Sequence, residues 1–143
     1  MVVEDEPDIY EVILAMFEMW GIEGVAFVDG EEVIEWIEDV DAGRYTGDKP
    51  ELALLDIRLP GKINGVDVGE RLRRSPILSN MAIVLTTAYT LTIEQQDEAM
   101  RRTEADKWIP KPLPKFNELQ TLLEGVIAQR RQAVNASKND TQS

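Results

Sequence analysis

The chain has 143 residues, 43% apolar and 29% charged, enough for one folded domain with a real core. Its net charge of −12 argues against nucleic acid as a direct ligand, because phosphate backbones are bound by basic surfaces. With no Cys and no His, disulfides, thiolate or imidazole metal sites, His-based triads and a phosphohistidine carried by this chain are excluded.

Residues 1–4, MVVE, read as the end of a strand. From Pro7 to Trp20, apolar Ile9, Val12, Ile13, Met16 and Trp20 recur at steps of three and four. That spacing predicts a helix with Pro7 in its first turn and Gly21 at its stop. GVAFV, at 24–28, is a short strand. Asp29 with Glu32 resembles a capping box opening a second helix, whose Val33, Trp36, Ile37 and Val40 face inward. A polar loop at 41–50 leads to ELALLD at 51–56, an apolar strand that ends on a carboxylate. The next helix is predicted from Gly65 to Arg74, stopped by Pro76.

MAIVLTT, at 81–87, is the fourth strand. Thr92 and Gln95 cap a helix running to Thr103, so poor in apolar residues that much of it should face water or a partner. KWIP, at 107–110, is a fifth strand, and Pro110 lacks a donor N–H, which places it at a sheet edge. The last helix, Lys115 to Gln132, carries the stripe Phe116, Leu119, Leu122, Leu123, Val126 and Ile127. Residues 133–143 read as a polar, disordered tail, with 1–132 as the folded domain. The basic pairs Arg73-Arg74, Arg101-Arg102 and Arg130-Arg131 read as solvated helix faces. No stretch has the apolar length to span a bilayer and no signal-peptide layout opens the chain, so the expectation is a cytoplasmic protein without membrane insertion.

Strands alternating with helices predict an α/β fold, a doubly wound parallel sheet with helices on both faces. Ligands of such sheets bind outside the carboxyl ends of the strands. The residues standing there are Glu4, Asp5 and Glu6, then Asp56, then Thr86 and Thr87, then Lys111. Taken singly, each has a plainer role: Asp5 or Glu6 as a helix cap, the threonines as β-branched strand residues, Lys111 as a surface lysine. Together they are harder to dismiss, because crowded carboxylates repel unless a cation intervenes. Oxygen-only ligands suit a hard cation, Mg²⁺ before a transition metal. A divalent ion, a lysine and a hydroxyl in turn suit a phosphoryl group, and a carboxylate in that cage can be the nucleophile, giving an acyl phosphate on Asp56. There is no GxxxxGK[ST] loop, and Arg58 stands where aspartate-nucleophile phosphatases carry a second acid, which disfavours a Mg²⁺-dependent phosphatase.

VVEDEPD, LLDIRLPGKING, LTTAY and WIPKP, in this order and spacing, resemble the motifs of the receiver domain of two-component response regulators, over about residues 1–128. The likeness is to chemotaxis-regulator-like, single-domain members. It implies a flavodoxin-like sheet of five parallel strands in the order 2-1-3-4-5, flanked by five helices. It further implies that Asp56 is the phosphoacceptor and that Asp5, Asp56 and the backbone carbonyl of Arg58 bind Mg²⁺, with Glu4 acting through water. Thr87 and Lys111 would contact the phosphoryl group, and Lys111-Pro112 is often a cis bond in the family. Trp108 would be the switch aromatic that moves with Thr87; read by itself, it is equally a packing aromatic on an edge strand.

Arg58 and Tyr89 fall where the family tunes dephosphorylation, and their bulk implies a shielded, long-lived acyl phosphate. Three departures stand out: a loop from Asp56 to Gly65 one residue longer than usual, Glu4 in place of the commoner Asp, and Trp108 in place of Tyr or Phe. The implied partners are a sensor histidine kinase or histidine phosphotransfer protein as donor, and a downstream protein target. That target would be reached through the face of the fourth helix, fifth strand and fifth helix, and a homodimer through those helices stays open. Such a chain is no enzyme toward other substrates; it catalyses only its own phosphorylation and dephosphorylation. The competing reading is a non-cycling pseudo-receiver scaffold that binds partners without phosphorylation.

Overall fold

The computed structural model describes residues 1–22 and 24–142, with 139–142 by backbone alone. Five strands, β1 (Val2–Val3), β2 (Ala26–Phe27), β3 (Leu52–Asp56), β4 (Ala82–Thr87) and β5 (Lys107–Pro110), form one parallel sheet in the order β2-β1-β3-β4-β5. Five helices connect them: α1 (Pro7–Met19), α2 (Gly30–Asp41), α3 (Gly65–Arg74), α4 (Ile93–Thr103) and α5 (Phe116–Gln142). The doubly wound fold and its strand order are therefore as expected, and Pro110 does lie on an edge strand.

Side chains alternate across the pleat and so build two cores. Val3, Ala53, Leu55, Ile83 and Leu85 face α2, α3 and α4. Val2, Leu52, Leu54, Ala82, Val84 and Ile109 face α1 and α5. β3 is buried along its whole length, so the run that ends on Asp56 is anchored on both faces. Each fully buried Leu in it contributes roughly 1.5–3 kcal/mol.

Local capping sets where the helices begin. Asp29 accepts the Glu32 amide at 2.8 Å, and Thr92 and Gln95 form the reciprocal box expected for α4. Asn64 and Asp67 form a second box at the head of α3, a pairing not anticipated from the sequence. Trp36 is half-buried rather than fully inward, packed between Phe27 and Tyr45 with ring centroids 5.9 and 5.6 Å away.

Two expectations need correction. Residues 133–142 continue α5 instead of forming a disordered tail; Ser143 lies outside the described residues. Polarity suggested disorder there, but the segment holds no Pro or Gly to break a helix. The turn before it is also anchored, by Arg131 on both oxygens of Glu51 (2.7 and 2.6 Å) and by Arg130 on the Asn80 carbonyl.

The basic pairs are not simply solvated faces either. Arg73 has a side chain only 6% exposed and donates to the carbonyls of Thr103, Ser79, Met81 and Glu104 and to the Asp106 carboxylate. Arg102 bridges α4 to Asp67 and Glu70 of α3.

Candidate functional site

Parallel pairing puts the carboxyl ends of β1, β3, β4 and β5 along one edge of the sheet. There Lys111 donates to Glu4 Oε2 at 2.7 Å and to Asp56 Oδ2 at 2.9 Å. The residues are drawn from the two ends and the middle of the chain, 107 and 55 positions from Lys111. Glu4 is 1% and Asp56 4% exposed, while Asp5 faces solvent. One carboxylate oxygen of each of the three lies within 4.8 Å of the others, an arrangement able to hold a metal ion. The donor set fits a hard cation: all ligands are oxygens, and exposed Asp5 leaves room for the waters that Mg²⁺ keeps.

The helix-capping role weighed above is not taken by the Glu6 side chain. Glu6 is the N-cap residue of α1, yet its side chain makes no capping bond, and Pro7 fills the first helical turn. Asp5 precedes that N-cap residue and faces solvent. Glu6 does donate its amide to Glu4 Oε1 at 3.3 Å, which steadies that carboxylate. Asp56 Oδ1 accepts the Arg58 amide at 3.0 Å, fixing the loop after β3 against the carboxylate.

That loop is pinned at its far side, where the Lys62 N–H donates to Glu31 Oε1 at 3.0 Å. The Arg58 guanidinium lies 4.0 Å from the centroid of the Tyr89 ring, a cation–π stack not foreseen from residue positions alone. Thr87 is buried, and its hydroxyl accepts the Tyr89 amide at 3.3 Å. Trp108 is half-buried against the α2–α4 core, in register with Leu85 and so on the face of the sheet that Thr87 shares. Lys111-Pro112 is cis. Beside Lys111, an apolar groove of about 520 Å³ runs between α1 and the 112–114 segment.

Electrostatics at the site follow from burial. Burial pushes the Glu4 carboxyl up to about 7; the Lys111 hydrogen bond opposes this and the Asp56 charge adds to it. For Lys111, burial alone would lower the ammonium, but the hydrogen bonds and charges of Glu4 and Asp56 together outweigh it and raise the pKa. A carboxyl whose folded pKa exceeds its unfolded value stabilises the fold fully below the unfolded value of 4.5, and that stabilisation is lost as pH rises through about 7. In cation-free buffer, wild type should therefore lose stability relative to Glu4→Gln between pH 5 and 8, by on the order of a few kcal/mol. Urea unfolding of both proteins across that range tests this, and parallel profiles would contradict it.

A parallel sheet of this order, flanked by five helices, defines a flavodoxin-like α/β domain, here with acids at the ends of its first and third strands and a lysine after its fifth. The chain matches the family described as response regulator receiver domain over residues 1–124, and it belongs to that family of two-component signalling modules. Solved structures share the fold. A putative response regulator from Chloroflexus aurantiacus J-10-fl is 24% identical, with TM-score 0.71, covering 89% of this chain and 94% of that one. A CheY-like response regulator receiver domain protein from Methanospirillum hungatei JF-1 is 21% identical, with TM-score 0.75 and coverage of 92% and 94%. NtrX from Brucella abortus is 24% identical, with TM-score 0.76; the match covers 96% of this chain and only 28% of NtrX. No curated protein sequence matches. Among the described residues no helix is long and apolar enough to cross a membrane.

Proposed function

We propose that this receiver domain is phosphorylated on Asp56, with Mg²⁺ present, by the phosphohistidine of a sensor histidine kinase or a histidine phosphotransfer protein. The observation that carries the reading is the meeting of Glu4, Asp5, Asp56 and Lys111 at one sheet edge. An Asp56 oxygen attacks phosphorus, the phosphorus–nitrogen bond of the donor breaks, and the imidazole leaves. Asp5, Asp56 and the backbone carbonyl of Arg58 would hold Mg²⁺, with Glu4 acting through water. When bound, the ion neutralises charge on the phosphoryl oxygens. Lys111 and the Thr87 hydroxyl bind the same oxygens, and Lys111 gives up its present bonds to Glu4 and Asp56 as it does so.

The apolar groove beside Lys111 offers the donor a place to dock within reach of Asp56. Movement of Thr87 and Trp108 carries the change to the face of α4, β5 and α5, where α4 buries only Ala99 and Thr103 and leaves most of its surface for a target. The Arg58–Tyr89 stack supports a shielded acyl phosphate.

Incubation with Mg²⁺ and acetyl phosphate, followed by intact mass, tests the reading. Wild type should gain one phosphoryl group, and Asp56→Asn none. After donor removal the adduct should persist for minutes or longer, and Tyr89→Ala should shorten its life. No adduct on wild type would favour the non-cycling scaffold, and rapid turnover of a phosphomonoester would favour a phosphatase.

A further inference from the structure

Two buried side-chain polar atoms have no hydrogen-bond partner among the described residues, Trp20 Nε1 and Thr86 Oγ1. Trp20 sits at the end of α1 remote from the site. Thr86 does not: it is the lateral partner of Asp56 in the β3–β4 register and of Ile109 in the β4–β5 register. Neighbouring strands lie about 4.8 Å apart.

Alternation along each strand puts Thr86 on the same face as Asp56. Val84 and Leu54, two residues before them, both belong to the core under α1 and α5. Thr86 is 2% exposed, so bulk water does not satisfy its hydroxyl. An unpaired buried hydroxyl is destabilising, and valine would fill the same space without that penalty. The resting structure thus gives the oxygen no role.

Lys111 supplies a partner of the right kind. An ammonium has three N–H donors, and Lys111 uses one on Glu4 and one on Asp56. Both acceptors are carboxylates that the phosphorylation reading turns toward the cation and the phosphoryl group. An ammonium released from both has N–H donors to spare beyond those it gives the phosphoryl oxygens, and a buried acceptor within its reach would fix its direction.

We propose that Thr86 is a positioning residue for Lys111: its hydroxyl accepts an ammonium N–H when Glu4 and Asp56 disengage, and so aims Lys111 at the phosphoryl group. This rests on the phosphorylation reading. The test compares wild type, Thr86→Val and Thr86→Ser by the initial rate of adduct formation with Mg²⁺ and acetyl phosphate, and by the thermal midpoint without Mg²⁺. Thr86→Val should unfold at a higher temperature yet form the adduct about ten-fold more slowly, the size expected for losing a hydrogen bond to a charged group. Thr86→Ser should keep a rate near wild type while unfolding at a lower temperature, a split that packing alone would not produce. A wild-type rate in Thr86→Val, or equal slowing in Val and Ser variants, overturns the proposal while leaving Asp56 as acceptor. Absence of an adduct on wild type overturns both.

Discussion

Lys111→Met is expected to lower the thermal midpoint by roughly 10 °C at pH 8 in cation-free buffer, the consequence of losing about 3 kcal/mol. Methionine keeps most of the lysine stem, so packing changes little; what disappears is the charge. Glu4 and Asp56 would then stand side by side, 1% and 4% exposed, without the cation that now bonds to both. Removing one partner of a buried ion pair costs more than the pair contributes, because the remaining charge keeps its desolvation penalty. Glu4 can respond by binding a proton, and burial already draws it that way. The deficit should therefore shrink at pH 5, and millimolar Mg²⁺ at pH 8 should restore part of it by binding the folded state alone. Midpoints by calorimetry at the two pH values decide this. A deficit that ignores both pH and Mg²⁺ would mean that Lys111 acts through packing.

Gly65→Ala is expected to cost about 3 kcal/mol and to slow adduct formation more than ten-fold. A Cβ at this position would overlap the carbonyl oxygen of Asp56 and come within 2.9 Å of the Ile57 Cα. Both are backbone atoms, so no side chain can swing aside. The Gly65 amide also donates to the Ile57 carbonyl at 3.0 Å, which ties the start of α3 to the end of β3. Alanine must therefore displace the peptide that carries Asp56 or the first turn of α3, and the Asp56–Arg58 contact moves with it. Gly125→Ala serves as the contrast. It lies in α5 with nothing near its missing Cβ, so alanine there should raise stability by about 0.5–1 kcal/mol through helix propensity. Urea midpoints and adduct rates for the two variants should diverge in opposite directions. Equal behaviour would show that β3 and α3 do not approach as closely as described.

Much of this arrangement is legible in the chain because parallel topology converts strand ends into neighbours. Once Asp56, Thr87 and Lys111 are recognised as strand-terminal, their convergence follows without knowledge of any side-chain contact. The limits of α3 were equally readable, since Gly65 and Pro76 bracket it in the sequence. Arg73 was not readable. Its acceptors are main-chain carbonyls of the 79–81 and 103–104 segments, and carbonyls leave no trace in residue identity.

Glu4 was anticipated as an outer ligand acting through water, and its direct bond to Lys111 depends on a burial that one letter does not reveal. The solitary hydroxyl of Thr86 and the Arg58–Tyr89 stack are of the same kind, products of side-chain packing rather than of pattern. The length of α5 is not legible for another reason: a polar segment looks unstructured until the ion pairs that anchor the turn before it are seen.

Arg73 has a further consequence for how the molecule divides its chemistry. A guanidinium has five N–H donors, and here all five are used, four on carbonyls and one on Asp106. At that end of the sheet the side chain's donors are all matched within the chain. Among the described residues the opposite end is left incomplete, with a spare N–H on Lys111, an idle hydroxyl on Thr86 and an unengaged carboxylate on Asp5. Around Arg73 folding itself completes the bonding, whereas around Lys111 it leaves donors and acceptors over.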